Sequence, residues 1–307
     1  MRILLTGATG FIGGVFGPLA QAAGHEVVAL VRSASSSAAA TQRGFQPVSG
    51  SLEDAPSLAT ALASSRADAV VHLAAVIATT RSTETVDRVN RVGTDNLLAA
   101  TVAAGVRRFV FTSTVVTGDA HGRLLHEAEP LPVDTPYGRA KQASENAILA
   151  LGSAGRLEPV ILRPSHVYGP GGWFSDLVRD IRTGRFMTPG KGDNLWDMVH
   201  VEDVAQALLL ATTAPRPSAL YHVVDDTPVT MGAVVAAIAA RLGKSPPWHV
   251  PVWLARWVAG RNAIAAAVRS ARSSNEKLKG ELGFVPRHPV SLASIPGVVD
   301  AIVGALA

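Results

Sequence analysis

The chain has 307 residues, enough to bury the core of one large domain or of two lobes that share one. Hydrophobic residues make up 48% and charged residues 17%, a globular and not a disordered composition, and the net charge of +4, carried by scattered basic residues without a block, gives no nucleic-acid signal. The absence of cysteine excludes disulfides, thiolate nucleophiles and Cys-based zinc sites, and the nine histidines show no HExxH or clustered spacing, so no metal is expected.

Arg2–Thr6 (RILLT), Glu26–Val31 (EVVALV), Ala69–Leu73 (AVVHL), Arg108–Thr112 (RFVFT) and Pro159–Leu162 (PVIL) are near-continuously apolar, as strands covered on both faces should be. Helical stretches alternate with them at Phe11–Ala23, Pro56–Ser65, Thr83–Ala104 and Tyr137–Leu151, and Gly24, Gly105 and Gly152 stop three of these. Arg32–Thr41 is low in complexity and reads as a loop with a weak helix. Val199–Thr212 and Leu220–Val224 read as a further helix and strand of the same sheet. The alternation predicts an α/β fold: a doubly wound parallel sheet of Rossmann type with a smaller, mostly helical C-terminal lobe. The nucleotide-binding part should span 1–164 plus about 198–225, and the substrate lobe about 165–197 and 226–307. No run approaches the roughly 18 apolar residues of a membrane span. The first residues, MRILLTGATG, lack the features of a signal peptide. A cytoplasmic protein with neither a membrane nor a nucleic-acid partner is the expectation.

Thr6–Gly14 (TGATGFIGG) joins the first strand to the first helix, with glycines at 7, 10 and 13. Gly7 would turn the chain, Gly10 would let backbone N–H groups approach a pyrophosphate, and Gly13 would let helix and strand pack closely. A glycine triplet alone also serves a plain turn, but the strand–turn–helix context favours a dinucleotide site. At the end of the second strand an acidic residue would accept the ribose hydroxyls of NAD. Arg32 and Ser33 stand there instead and suit the 2′-phosphate of NADP(H), although a solvent-facing arginine is common at such a place, and NAD(H) stays possible.

Tyr137 and Lys141 lie four residues apart at the start of a helix, on one face. A free phenol has a pKa near 10, and a nearby cation lowers it toward the range of an acid–base catalyst. A surface contact would have the same spacing. Ser113 supplies a third group: it follows the strand Arg108–Thr112, beyond whose carboxyl end ligands bind, and its hydroxyl could hold a substrate oxygen. Thr112 and Thr114 compete for that role.

Seven segments in order resemble the extended branch of the short-chain dehydrogenase/reductase superfamily: TGATGFIG (6–13), HLAA (72–75), NRVGTDNLLAA (90–100), FTSTVVTG (111–118), YGRAK (137–141), LRPSHVYGPG (162–171) and VHVEDVAQAL (199–208). The resemblance implies Tyr137 as acid/base, Lys141 as its tuner and a ribose ligand, and Ser113 as assistant. It implies that Gly7, Thr9, Gly10, Phe11, Ile12, Gly13, Ser51, Leu52, Leu73, Ala74, Ala75, Pro164 and Ser165 line the cofactor. Departures shape the rest. Ser51 replaces the usual Asp of the adenine contact, and Thr117 replaces a usual tyrosine. Thr114-Val115 replaces the Asp-Glu pair of sugar 4,6-dehydratases, which disfavours sugar dehydration. His166 replaces an Asn that faces the substrate in sugar-nucleotide enzymes, so Thr114 and His166 are candidate substrate contacts.

The implied activity is NADP(H)-dependent interconversion of carbonyl and alcohol on a small to medium, rather apolar small-molecule substrate. An NAD-dependent sugar-nucleotide epimerase and a non-catalytic nucleotide sensor are the alternatives. Pro247–Val258 carries Trp248, Trp253 and Trp257, which read as lobe core or interface, or as part of a hydrophobic pocket wall. The family also implies a possible homodimer through Thr83–Ala104 and Tyr137–Leu151.

Overall fold

Seven strands, all parallel, make the central sheet: β1 (Arg2–Thr6), β2 (Glu26–Val31), β3 (Gln46–Ser49), β4 (Ala69–His72), β5 (Arg108–Thr112), β6 (Glu158–Pro164) and β7 (Leu220–Val223). They run in the order β3-β2-β1-β4-β5-β6-β7, so the winding reverses between β1 and β4, the crevice where doubly wound sheets bind ligands. The computed structural model describes residues 1–77, 82–215, 217 and 219–305.

Alternate residues of each strand serve opposite faces. Ile3, Leu5, Val71 and Val110 pack with Phe16 of α1 (Gly13–Ala22) and Leu208 of a helix at Val201–Thr213. Leu4, Val70, Phe109 and Phe111 pack on the other face with Leu58, Leu97 and Ile148. These three come from α3 (Ala55–Ser65), α4 (Gly93–Ala103) and α5 (Pro136–Ser153). Both faces are covered, which is why the strands read as unbroken apolar runs.

A second core gathers Tyr168, Trp196 and Met198 with three more helices. These are α6 (Gly172–Arg182), α8 (Met231–Arg241) and a last helix at Ser291–Gly304; the Val201–Thr213 helix between them is α7. Buried carboxylates seam this core to the sheet. Asp203, in the first turn of α7, accepts from the backbone N–H groups of Arg287 and His288 at 2.7 and 3.0 Å. Asp225 accepts from Ser291 N at 3.1 Å.

The structure departs from the expected elements in three places. The low-complexity stretch is a helix, α2 (Ala34–Gln42), because Ser33 and Ser36 form a reciprocal capping box at its start. β3, which carries only one strongly apolar side chain, forms by pairing with β2. The long helix expected at Thr83–Ala104 is interrupted by a π segment at Asp87–Val92.

One buried ion pair fastens α5 to β6. Arg163 donates to both carboxylate oxygens of Glu145 at 2.9 and 2.5 Å, with side chains 12% and 5% exposed. Removing one partner leaves the other charged and dry. Glu145→Ala is expected to lower stability by roughly 3–5 kcal/mol in urea unfolding; a loss below about 1 kcal/mol, as for a surface pair, would show that the pair holds nothing.

Candidate active site

The glycine loop is shaped by contact. Gly7 has φ +71°, and a Cβ there would lie 2.9 Å from Ala74 N, so the turn and the HLAA strand end meet backbone to backbone. A Cβ on Gly13 would lie 2.2 Å from Gly7 O, which admits only glycine at the start of α1. No side chain caps α1; its first turn is closed by the loop itself, Gly14 N donating to Gly10 O at 2.8 Å and Phe16 N to Ile12 O at 2.9 Å, which leaves the glycine loop ahead of it as the place for a dinucleotide pyrophosphate. These features fit the cofactor that the sequence implies. Phe11 has a further role: its ring packs beneath Gly169, Gly171 and Gly172, where a side chain on any of the three would collide with it or with Val201. Thr9 is exposed on the loop and Ile12 is partly buried against the core.

At the adenosine end, Arg32 is exposed beyond β2, and the hydroxyl of Ser33 is committed to capping α2. Spacing does not single out Arg43. Its guanidinium donates to Ala8 O at 2.9 Å and lies 3.1 Å from where a Cβ on Gly14 would stand, directly over the glycine loop. Ser51 and Leu52 form a turn in which Ser51 N donates to Ser57 Oγ at 3.0 Å and Leu52 O accepts from Asn96 Nδ2 at 2.9 Å.

Beneath HLAA, Thr6 Oγ1 accepts from Leu73 N and Ala74 N at 3.2 and 3.1 Å and lies 2.7 Å from His72 Nδ1. Burial, with the nearby Lys141 adding to it, pushes His72 down to about 3, so the ring is neutral. His72 Nε2 meets Thr94 Oγ1 at 3.0 Å. Within the π segment, Asn90 brackets Val76, donating to its O at 2.9 Å and accepting from its N at 2.8 Å. The Asn90 carbonyl accepts from Thr94 Oγ1 and Ser144 Oγ at 2.6 and 3.0 Å. The irregular turn thus holds the segment after Ala75, a common place for a π-bulge.

The helix start at Tyr137 is fitted to the loop after β5. Thr135 caps it by accepting from Gly138 N at 2.9 Å. A Cβ on Gly138 would lie 2.7 Å from Thr117 O, so that glycine lets α5 begin against the loop. Ser113 N donates to Leu162 O at 2.7 Å and Val115 N to Pro164 O at 3.1 Å, which sets Ser113 beside the end of β6. Ser113 Oγ is buried and has no partner among the described residues, and the same holds for Thr112 Oγ1. Thr114 differs: its hydroxyl donates to Pro164 O at 3.1 Å and accepts from Val116 N at 2.9 Å, which commits it to the loop.

Lys141 is 3% exposed, donates to Thr112 O at 2.7 Å and lies 4.5 Å from the Phe111 ring centroid. Burial pushes it down to about 8, against the pull of Glu145. Its Nζ is 5.9 Å from the Tyr137 ring centroid. Tyr137 keeps part of its surface open, yet the crowding protein pushes its phenol up to about 12. The depression expected from Lys141 is therefore not seen in this arrangement: desolvation dominates, and the ammonium is turned to a carbonyl.

Beyond Pro164 and Ser165, His166 lies in an aromatic wall. Its ring stacks on Trp196 at 4.7 Å and meets Trp173 edge-on at 6.1 Å. Burial, then the charge of Arg269, pushes His166 down to about 3, so it too is neutral. Arg269 is itself 2% exposed and donates to Val115 O and Gly118 O at 2.9 and 3.1 Å, clamping the Ser113 loop. Trp248, Trp253 and Trp257 contribute neither to this wall nor to the lobe core: they are 87%, 71% and 84% exposed. Among the described residues, His200, Glu202 and His288 bring one ligand atom each to within 4.8 Å of one another. The two imidazoles are tilted by 36° with 3.7 Å between centroids, and His200 Nδ1 accepts from Glu202 N at 3.3 Å.

Lys141→Met tests the buried ammonium. Between about 8 and 10.5 the unfolded chain holds a proton that the folded chain has lost, so wild-type stability rises with pH across that window. The variant is expected to be more stable than wild type, by up to roughly 3 kcal/mol below pH 8, with the difference shrinking toward pH 10.5. Urea unfolding at several pH values measures it; a constant difference would contradict the assignment.

Residues 3–224 match the NAD dependent epimerase/dehydratase family. The chain is 31% identical over 300 residues to a 3-diazoavenalumate denitrifying reductase of a Streptomyces species, covering 94% of this chain and 97% of that protein. It is 29% identical over 313 residues to a 4-hydroxy-2-methyl-3-oxo-4-farnesyl-3,4-dihydroquinoline-1-oxide ketoreductase of Stigmatella aurantiaca, covering 94% and 92%. The solved structure of Thermus thermophilus UDP-glucose 4-epimerase in complex with NAD matches with a TM-score of 0.83 at 28% identity, covering 99% of this chain and 100% of that one. The chain belongs to the NAD-dependent epimerase/dehydratase family, within the extended short-chain dehydrogenases/reductases, and is an NAD(P)-dependent oxidoreductase-type enzyme.

Proposed function

We propose that this enzyme is an NADP(H)-dependent carbonyl reductase for an apolar, aromatic-sized ketone. The observation that carries the reading is the buried, unpartnered hydroxyl of Ser113 on the loop against which the helix start at Tyr137 packs through Gly138, together with the wall that His166 forms with Trp173 and Trp196 two residues after Pro164. A phenol held up at about 12 keeps its proton at neutral pH, the state needed to donate to a carbonyl oxygen. Ser113 Oγ would hold that oxygen as charge develops on it. The neutral aromatic wall suits a flat apolar body better than a sugar.

When bound, the nicotinamide supplies hydride to the carbonyl carbon. Tyr137 gives its proton to the oxygen, completing the alcohol, and is left as phenolate. Lys141, four residues on along the same helix face, is held near 8 and Tyr137 near 12, so return of a proton from the ammonium to the phenolate runs downhill. The glycine loop at the start of α1 would hold the pyrophosphate, and Arg32 with Arg43 the 2′-phosphate. The ketoreductase named above supports the reaction class. Sugar-nucleotide epimerisation with NAD is the second reading, favoured by the likeness to the Thermus enzyme; tightly held NAD in the purified protein would speak for it.

Tyr137→Phe is expected to lower NADPH oxidation with a reactive ketone by roughly 10²–10⁴-fold while NADPH still binds. Wild-type reduction should fall as pH rises through about 8, where Lys141 loses its charge. Arg32→Ala and Arg43→Ala should each weaken NADPH binding by roughly tenfold and leave NADH unchanged. Calorimetric titration with both nucleotides decides this, and equal wild-type affinities would remove the NADP assignment.

A further inference from the structure

We propose that a helix pair in the C-terminal lobe docks the protein on the surface of an anionic phospholipid bilayer. The pair consists of α9 (Val252–Ala259) and α10 (Arg261–Val268), joined at Gly260. Trp253 and Trp257 lie one turn apart on the same face of α9, with Val258 beside them 56% exposed. Ala255 is the one buried residue of that helix. Trp248 precedes a short strand, His249–Val250, that pairs with Thr188–Pro189 and brings Met187, 44% exposed, close to it, and Pro251 alone separates that strand from α9. Three bare indoles within ten residues, two of them on one helix face, are more apolar surface than scattered exposed residues account for.

The charge around the patch names the partner. From residue 227 to residue 275 the chain has no Asp or Glu, yet it carries Arg241, Lys244, Arg256, Arg261, Arg269 and Arg272. Arg241 is paired with Asp300, Arg269 is buried and Arg272 donates to Gly122 O, whereas Lys244, Arg256 and Arg261 are exposed. Arg256 sits in the α9 turn between the two tryptophans. The neighbouring loop adds Lys191 and a single acid, Asp193. Indoles fit the headgroup layer, with the ring among acyl chains and the N–H among polar groups, and guanidinium groups bind lipid phosphates. A second copy of the chain fits poorly, because a two-fold contact would set these cations against their own kind. The expectation of no membrane partner rested on the lack of a spanning run, which does not bear on an eight-residue helix lying in the interface.

The test uses the full chain with vesicles of phosphatidylcholine alone or mixed with phosphatidylglycerol. The protein is expected to co-sediment with the mixed vesicles, its tryptophan emission shifting to the blue and being quenched by brominated lipid, and to release at high salt. Trp253→Ser with Trp257→Ser should weaken binding by roughly tenfold or more, and Arg256→Gln or Arg261→Gln by roughly fivefold each, with unchanged urea midpoints. Wild type that is neither sedimented nor quenched, or that binds neutral and anionic vesicles alike, overturns the proposal. So does a dimer in sedimentation velocity that the tryptophan substitutions dissolve while vesicles leave wild type unbound. The wild-type quenching stands as a test even if a variant fails to fold.

Discussion

A buried ammonium organises the carboxyl end of the sheet. Lys141 Nζ reaches from α5 to the last carbonyl of β5, Thr112 O, at 2.7 Å, over the ring of Phe111. Burying that charge is costly, and its lowered pKa expresses the cost. The surroundings are arranged to keep it. Glu145 lies one turn further along α5 and is itself neutralised by Arg163. His72, below, stays neutral and adds no second cation. Fixing Lys141 fixes the start of α5, and the tight meeting of Gly138 with Thr117 then sets Tyr137 against the loop that carries Ser113.

Groups whose partners lie near in sequence are legible from the order of residues alone. Gly7, Gly10 and Gly13 share one loop, Tyr137 and Lys141 share one helix face, and apolar runs announce the buried strands. What stays hidden depends on distant contacts. Arg43 reaches Ala8 across 35 positions, and Arg269 reaches Val115 across 154. The stack of His166 on Trp196 forms only when the segment after β6 pairs with the one before α7, His166 opposite Met198. No periodicity marks such pairs. The tryptophans of α9 mislead for the opposite reason: helical spacing says which residues share a face, and not whether that face turns inward. Burial also reverses an electrostatic expectation, because spacing alone puts a cation near Tyr137 and cannot register how dry the phenol is.

The aromatic wall and the exposed patch are physically continuous. Trp196 Nε1 donates to Ala267 O in α10 at 2.9 Å, and Asn194 Nδ2 donates to the same carbonyl at 2.9 Å. The helix pair that presents the tryptophans is thus pinned at its other end to Trp196 of the aromatic wall.

The central claim is that Tyr137 and Ser113 serve net carbonyl reduction. The most direct measurement follows the label from NADPH deuterated at C4 into the products of a ketone panel by mass spectrometry. One deuterium on the carbinol carbon, absent with Tyr137→Phe, is the predicted result. Unlabelled ketones, together with conversion of UDP-glucose to its C4 epimer on NAD that stays bound, would contradict it.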